Sequence, residues 1–307
     1  MAWVIFVVVA TLSDAIRIFI DNYVSDVYFK KNGAVSQKLF YGIASVIISP
    51  IILAFSGFDF EAVGVPVILM ILFAGVLAGI AGIPYYKALE IEESTNIGIF
   101  MQLAPVLYLI LGWFFLGETF SPFQLVAFAF IIAAPVMIVL TTRKRSRKVK
   151  IRAVFYAFLY VLIAVIGNLF LVKAGTNGQN LVGGLALFVL GKSITNILIV
   201  QSKSKWRKRF KVVLRNSKRK VLRPMMVNLL MGTVKDFTYR AALITAPAVA
   251  VASAASDSTE PILIFFMGIV LTLIWPKFGR EKLDKRTVLV HLIATVMVVT
   301  GVVLLQI

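Results

Sequence analysis

Apolar runs of helix length recur ten times along this chain, and no other feature constrains its fold as much. They fall at about 2–21, 38–56, 64–89, 95–116 and 121–141, and then at about 151–172, 180–201, 224–245, 248–275 and 286–306. A helix needs about 20 apolar residues to cross the hydrocarbon core of a bilayer. Composition agrees: the 307 residues are 60% hydrophobic and only 15% charged, whereas soluble domains are about half apolar and a quarter charged. The expected fold is all-α and polytopic, with ten transmembrane helices.

Several function classes fall away at once. There is no cysteine, which excludes disulfides, thiolate nucleophiles and cysteine-bound metals. A single histidine, His291, builds neither a zinc site nor a histidine proton relay. The net charge of +18 lies in short tracts between greasy segments, a pattern for anionic lipid at the basic loops and not for nucleic acid. The opening "MAWVIFVVVA" lacks a basic leader and a small-residue cleavage site, so it reads as a retained first helix.

Basic residues also set an orientation. Of the 32 Lys and Arg, 27 lie in or beside the loops after the odd-numbered spans, whereas the loops after even-numbered spans hold only Lys173. Cytoplasmic loops are the Lys/Arg-rich ones. The count therefore predicts a cell (inner or plasma) membrane protein with both termini extracytoplasmic. The longest tract, 202–223, sets Trp206, Phe210, Val213 and Leu214 at helical spacing among basic residues. It fits an amphipathic helix on an anionic inner leaflet, or a solvated loop.

The two halves echo each other. The first contains "YYKALEIEESTNIGIFMQLAPVLYLILGWFFLGETFSPFQ" and the second "YRAALITAPAVAVASAASDSTEPILIFFMGIVLTLIWPKFGRE". Each closes a span with Tyr and Ala-Leu, places a proline (Pro105, Pro261) in the next, and exits on glycine and glutamate. The expected units are 1–141 and 151–307, joined by a basic cytoplasmic linker at 142–150. Five spans per half is an odd number, so the second half inserts upside down, the build of secondary transporters with a midplane site.

With "YYKAL", "QLAPVLYLILGWFFLGETFSPFQ" and the terminal "VMVVTGVVLL", the chain resembles the drug/metabolite transporter (DMT) superfamily, specifically its EamA-type members. The resemblance implies a ten-helix transporter of small molecules. Two departures stand out. "FGRE" follows Pro261 at a longer spacing than Glu118 follows Pro105, and many relatives are drawn with cytoplasmic termini, opposite to the loop charge of this chain.

Charges inside spans then locate a site. A charge at mid-span costs at least about 2.5–3.5 kcal/mol, so it faces a protein interior and pairs. Asp14 and Arg17 lie on span 1, Lys192 on span 7, Lys235, Asp236 and Arg240 on span 8, and Asp257 and Glu260 on span 9. Asp14 with Arg17 and Asp236 with Arg240 have the spacings of pairs on one helix face. Asp257 and Glu260 lack a basic neighbour within four residues, and Lys235 is the expected partner for one of them. Pro105 and Pro261 are expected to kink their helices and free carbonyls. Gln102 and Asn168 are expected opposite Glu260 and Asp14 in the other half, as site residues or as interhelical hydrogen-bonding groups. Tyr239 is deep enough to meet a substrate, whereas Tyr85 and Tyr86 fit interfacial anchors.

The leading expectation is a secondary active transporter of a small metabolite or organic cation, working by alternating access, with proton coupling at Asp257 or Glu260 as an open route. No phosphate-cradling loop is present and no cofactor is called for. A lipid or lipid-linked-sugar translocase is the alternative, and an intramembrane enzyme is the weaker third reading. Four basic against four acidic intramembrane residues leave the substrate's charge undecided.

Overall fold

The computed structural model describes residues 2–24, 33–91, 100–101, 103–142, 150–175, 180–202, 219–274 and 285–304, with 204, 207, 208, 211 and 215 between them. Ten longer helices are seen there: α1 Ala2–Val24, α2 Gly33–Phe55, α3 Val65–Ile91, α4 Ala104–Leu116, α5 Pro122–Thr142, α6 Ile151–Lys173, α7 Asn180–Ser202, α8 Arg219–Thr245, α9 Val249–Ile274 and α10 Lys285–Leu304. A single helical turn, Phe60–Val63, precedes α3. No strand occurs among the described residues. Five helices are long and apolar enough to cross a membrane: Ala2–Ile20, Val65–Tyr85, Ile151–Lys173, Asn180–Ser202 and Val249–Val270. Shorter apolar stretches run over Phe40–Phe55, Ala104–Leu116, Pro122–Ala134 and Val288–Gly301. α8 is in neither set, because it carries Lys235, Asp236 and Arg240 in its body and a basic start.

Helix ends follow local chemistry. α5 opens on a reciprocal pair in which Gln124 N–H donates to Ser121 Oγ at 3.2 Å and Ser121 N–H donates to Gln124 Oε1 at 3.0 Å. That capping box, with Pro122 at the first helical position, satisfies donors the helix leaves orphaned. α4 stops at Gly117, whose φ of 70° is left-handed and favours glycine. That turn aims Glu118 across the bundle, where its Oε1 accepts the Val249 amide at 2.7 Å at the start of α9. A side chain at Gly112 would collide with the Glu118 carboxylate.

The main core joins α1 (Trp3, Val7), α4 (Tyr108), α5 (Phe128, Ile131), α6 (Val161, Val165, Leu169), α8 (Leu243) and α9 (Val249 to Ala255). A second cluster joins α3 (Ile71, Ala74) to α7 (Leu185, Leu187, Phe188). There the small-residue stretch "AGVLAGIAG" works by close approach: a Cβ on Gly75 would strike the Phe188 carbonyl, and one on Gly191 the Leu72 carbonyl. Without a hydrophobic drive between helices in lipid, such van der Waals fit is what holds them. Large apolar side chains such as Ile5, Leu69, Phe114, Phe123 and Leu198 stay exposed, as a lipid-facing surface requires.

Candidate functional site

Two ion triads meet on opposite sides of α8. On one side Asp14 of α1 is 3% exposed and receives both Arg17 and Lys235. Arg17 Nε donates to Asp14 Oδ1 at 2.6 Å, and the Lys235 ammonium lies 2.9 Å from Asp14 Oδ2. On the other side Asp236 receives Lys192 of α7 at 2.6 Å and Arg240 at 3.2 Å. Arg240 also donates to the Asp236 carbonyl at 2.8 Å, and its guanidinium lies over the Phe188 ring, 4.2 Å from the centroid. Each acid thus serves two bases, one from its own helix and one from a neighbour.

The two spacings read from the sequence do meet, but Lys235 goes elsewhere than expected. It pairs with Asp14 and stands over the Tyr239 ring, 5.7 Å from the centroid. The physical reason is packing: α8 lies along the length of α1 and touches α9 much less. Asp257 and Glu260 consequently have no basic ion-pair partner among the described residues. Asp257 Oδ2 accepts the Ser253 hydroxyl at 2.8 Å, one turn earlier on α9. Glu260 feels the charges of Asp14, Lys235, Asp257 and Arg17 without touching them.

Away from the carboxylates, Asn168 Nδ2 of α6 donates to the Tyr108 oxygen of α4 at 2.7 Å. Asn168 is 7% exposed, and its Oδ1 is buried without a hydrogen-bond partner. Asn168 and Asp257 are singled out by the sequence, whereas their hydrogen-bonding neighbours Tyr108 and Ser253 are not. Ser253 had a signal, standing one turn before Asp257; Tyr108 had none, because its partner Asn168 comes from α6. Tyr85 packs its ring on Tyr160 at 4.9 Å, a protein contact where an interfacial anchor was expected.

The prolines behave differently from each other. Pro261 is interior to α9. Pro105 instead occupies the first turn of α4, where its missing N–H removes no helix bond, so it starts a helix and does not kink one. Gln102 lies outside the described residues, as do Trp206, Phe210, Val213, Leu214 and the "FGRE" segment.

The side chains of Lys192, Asp236 and Lys235 remain 28%, 24% and 27% exposed, although they sit among apolar helices. A separate small cavity of about 120 Å³ lies between α4 and α6, lined by Phe115, Ile166, Leu169, Phe170 and Lys173. It is apolar and apart from the carboxylates. No group of three or more acidic or histidine side chains able to hold a metal occurs among the described residues.

A helical chain with five membrane-length apolar helices and charges gathered between them is a multi-pass membrane protein. Residues 1–140 match the EamA-like transporter family, a branch of the DMT superfamily. The resemblance read from the sequence therefore holds over that part of the chain, and the family's members are transporters, not enzymes. A crystal structure described only as that of a protein is 16% identical, with a TM-score of 0.65 over 96% of this chain and 95% of its own. It shares the fold. No curated protein matches the chain.

Proposed function

We propose that the protein is a secondary active transporter of a small metabolite or organic cation, built as ten spans in two inverted five-helix repeats, 1–141 and 151–307. The observation that carries this reading is the gathering of Asp14, Arg17, Lys192, Lys235, Asp236, Arg240, Asp257 and Glu260 between helices whose other faces are apolar. Charges are retained at membrane depth where they serve a path or a site. Support for the repeat comes from the helix pairs. α1 packs along α8 as α6 packs along α3, and α1 meets α9 as α6 meets α4. Counterparts also pair with each other: α2 with α7, α4 with α9, α5 with α10. A two-fold relation between halves generates such a pattern.

In this reading Asp257 and Glu260 exchange substrate or protons, while the two triads hold α8 against α1 and α7 as the halves rock. The basic loops face the cytoplasm and anionic lipid, and both termini face outward. The test is uptake into proteoliposomes under an imposed pH gradient, with a panel of amines, amino acids and sugars. Uptake of one class above protein-free vesicles, lost in the Asp257→Asn/Glu260→Gln variant, is the expected result. Unchanged uptake in that variant would remove the site assignment. A tag placed after Ile307 should be shaved by protease from intact cells; protection there would reverse the orientation.

A further inference from the structure

The cavity between α4 and α6 lies apart from the charges of the proposed transport site, and its lining has a direction. Ile166, Leu169, Phe170 and Lys173 recur at three- and four-residue spacing along α6, so they share one helix face. Phe115 closes the cavity from α4. Leu169 belongs to the main core and is 3% exposed, whereas Phe115 is 48% exposed and Lys173 is exposed as well. The space of about 120 Å³ therefore runs from the core to the outside of the bundle. The Phe170 ring is held edge-on against Phe73 of α3, 5.4 Å between centroids.

Its depth in the membrane follows from the helices. α6 is a membrane-length helix that ends at Lys173, and Phe115 is one residue from the end of α4 at Leu116. The cavity thus opens at a membrane boundary. Trp113 and Phe114 stand exposed on the same end of α4, as aromatic side chains do at the level of lipid headgroups. Lys173 makes no ion pair among the described residues. Glu118, just past α4, is turned to the Val249 amide, and Asp59, before α3, caps its own turn through the Glu61 and Ala62 N–H groups.

What complements this arrangement is an amphipath. A cavity of about 150 Å³ lined by Leu, Ile and Phe stays dry and takes up benzene, so water is a poor occupant here and hydrocarbon a good one. An acyl chain supplies the dispersion contacts that such a lining lacks on its open side. A lysine at headgroup depth then favours an anionic lipid over an uncharged one by about fivefold. We propose that α4 and α6 hold one anionic phospholipid here, with an acyl chain between Phe115 and Phe170 and the phosphate on the Lys173 ammonium. α6 begins beside the basic linker at 142–150 and ends at Lys173, so this site is on the opposite membrane face from that linker. It stands whether or not the protein is a transporter.

The experiment is photolabelling of the purified full chain in maltoside micelles, which contain no phosphate. The probes are phosphatidylglycerol with a diazirine near the end of one acyl chain, and the diacylglycerol carrying the same chains. Labelled residues are located by peptide sequencing. Phosphatidylglycerol should label Phe115 and the 166–173 segment saturably, at least about fivefold more than the diacylglycerol at equal concentration. Unlabelled phosphatidylglycerol should compete, and glycerol 3-phosphate, the anion without chains, should not. Lys173→Gln should bring labelling at 166–173 down to the diacylglycerol level and leave labelling of the basic tract at 202–223 unchanged. Ile166→Trp, which fills the cavity, should remove labelling there by both lipids. Equal labelling by the two lipids, labelling confined to 202–223, competition by glycerol 3-phosphate, or no effect of Lys173→Gln would each overturn the proposal. The contrast between the two lipids on the wild-type chain decides even if a variant does not fold.

Discussion

Asp14 is the residue on which most depends, because it stands between two cations and is itself nearly inaccessible. Removing one partner of a buried ionic group leaves the others uncompensated, which costs about 3–5 kcal/mol. Arg17 and Lys235 keep some exposure, so the lower end of that range applies. Asp14→Asn should lower the thermal midpoint of the detergent-solubilised protein by the equivalent of about 3 kcal/mol. Adding Lys235→Met should recover part of the loss, since it removes one stranded cation. An unchanged midpoint in the single variant would mean the triad is solvated and carries no stability. The same residues show how far the sequence was legible. Spacing along one helix announced Asp14 with Arg17 and Asp236 with Arg240, because i,i+3 and i,i+4 neighbours share a face. It said nothing of Lys192 with Asp236 or Lys235 with Asp14, which depend on how α8 lies against α7 and α1. Proximity across helices is a tertiary fact, and the expected Lys235 pairing with α9 failed for that reason.

At the scale of elements, α9 is placed by a residue from outside its own half. Glu118 accepts the Val249 amide at the start of α9, where a carboxylate meets an orphan donor and the positive end of the helix dipole. Burial nonetheless outweighs that bonding and raises the Glu118 carboxyl above its ordinary 4.5. The sign follows. A group whose folded pKa is raised contributes stability that is fully present below the unfolded value and is lost as pH rises through the folded one. Glu118→Gln keeps an acceptor for Val249 and does not ionise. The midpoint of the wild type minus that of the variant should therefore be largest near pH 4 and shrink as pH climbs past the ordinary carboxyl value. A difference that grows with pH would show that the ionised form is the favoured one. Glu118→Ala, losing the cap, should cost about 1 kcal/mol more than Glu118→Gln at any pH. The Leu-Gly-Glu motif was visible as a repeat marker, but its work as a cap was not, since α9 begins more than a hundred residues later. The expectation for Pro105 missed for a related reason: a proline inside an apolar run looks the same whether it kinks one helix or opens another.

For the whole molecule, the departure from symmetry says more than the symmetry. Under the proposed inverted repeat, α3 corresponds to α8 and α7 to α2, so packing of α3 on α7 should be matched by packing of α8 on α2. It is not: α3 lies tightly along α7 through Gly75, Gly79 and Gly191, whereas α8 barely touches α2. On the proposed alternating-access mechanism, two halves of one fold in different arrangements predict a partner conformation in which the arrangements exchange. In that proposed state α8 closes on α2 and α3 leaves α7. The chain contains no native cysteine, so nitroxide pairs at Ile47 with Val227 and at Ile80 with Leu198, all exposed, report the two distances without background labelling. Double electron–electron resonance in nanodiscs should resolve a second population with a shorter α2–α8 distance and a longer α3–α7 distance. Gly191→Leu should enlarge that population, because its side chain wedges against the Leu72 carbonyl and penalises the observed packing alone. If both pairs kept one unchanged distance with and without Gly191→Leu and across transported solutes, the asymmetry would be a fixed property of the fold. The rocking mechanism would then have lost its structural ground, because a bundle whose halves cannot exchange arrangements has one face to offer its substrate, not two.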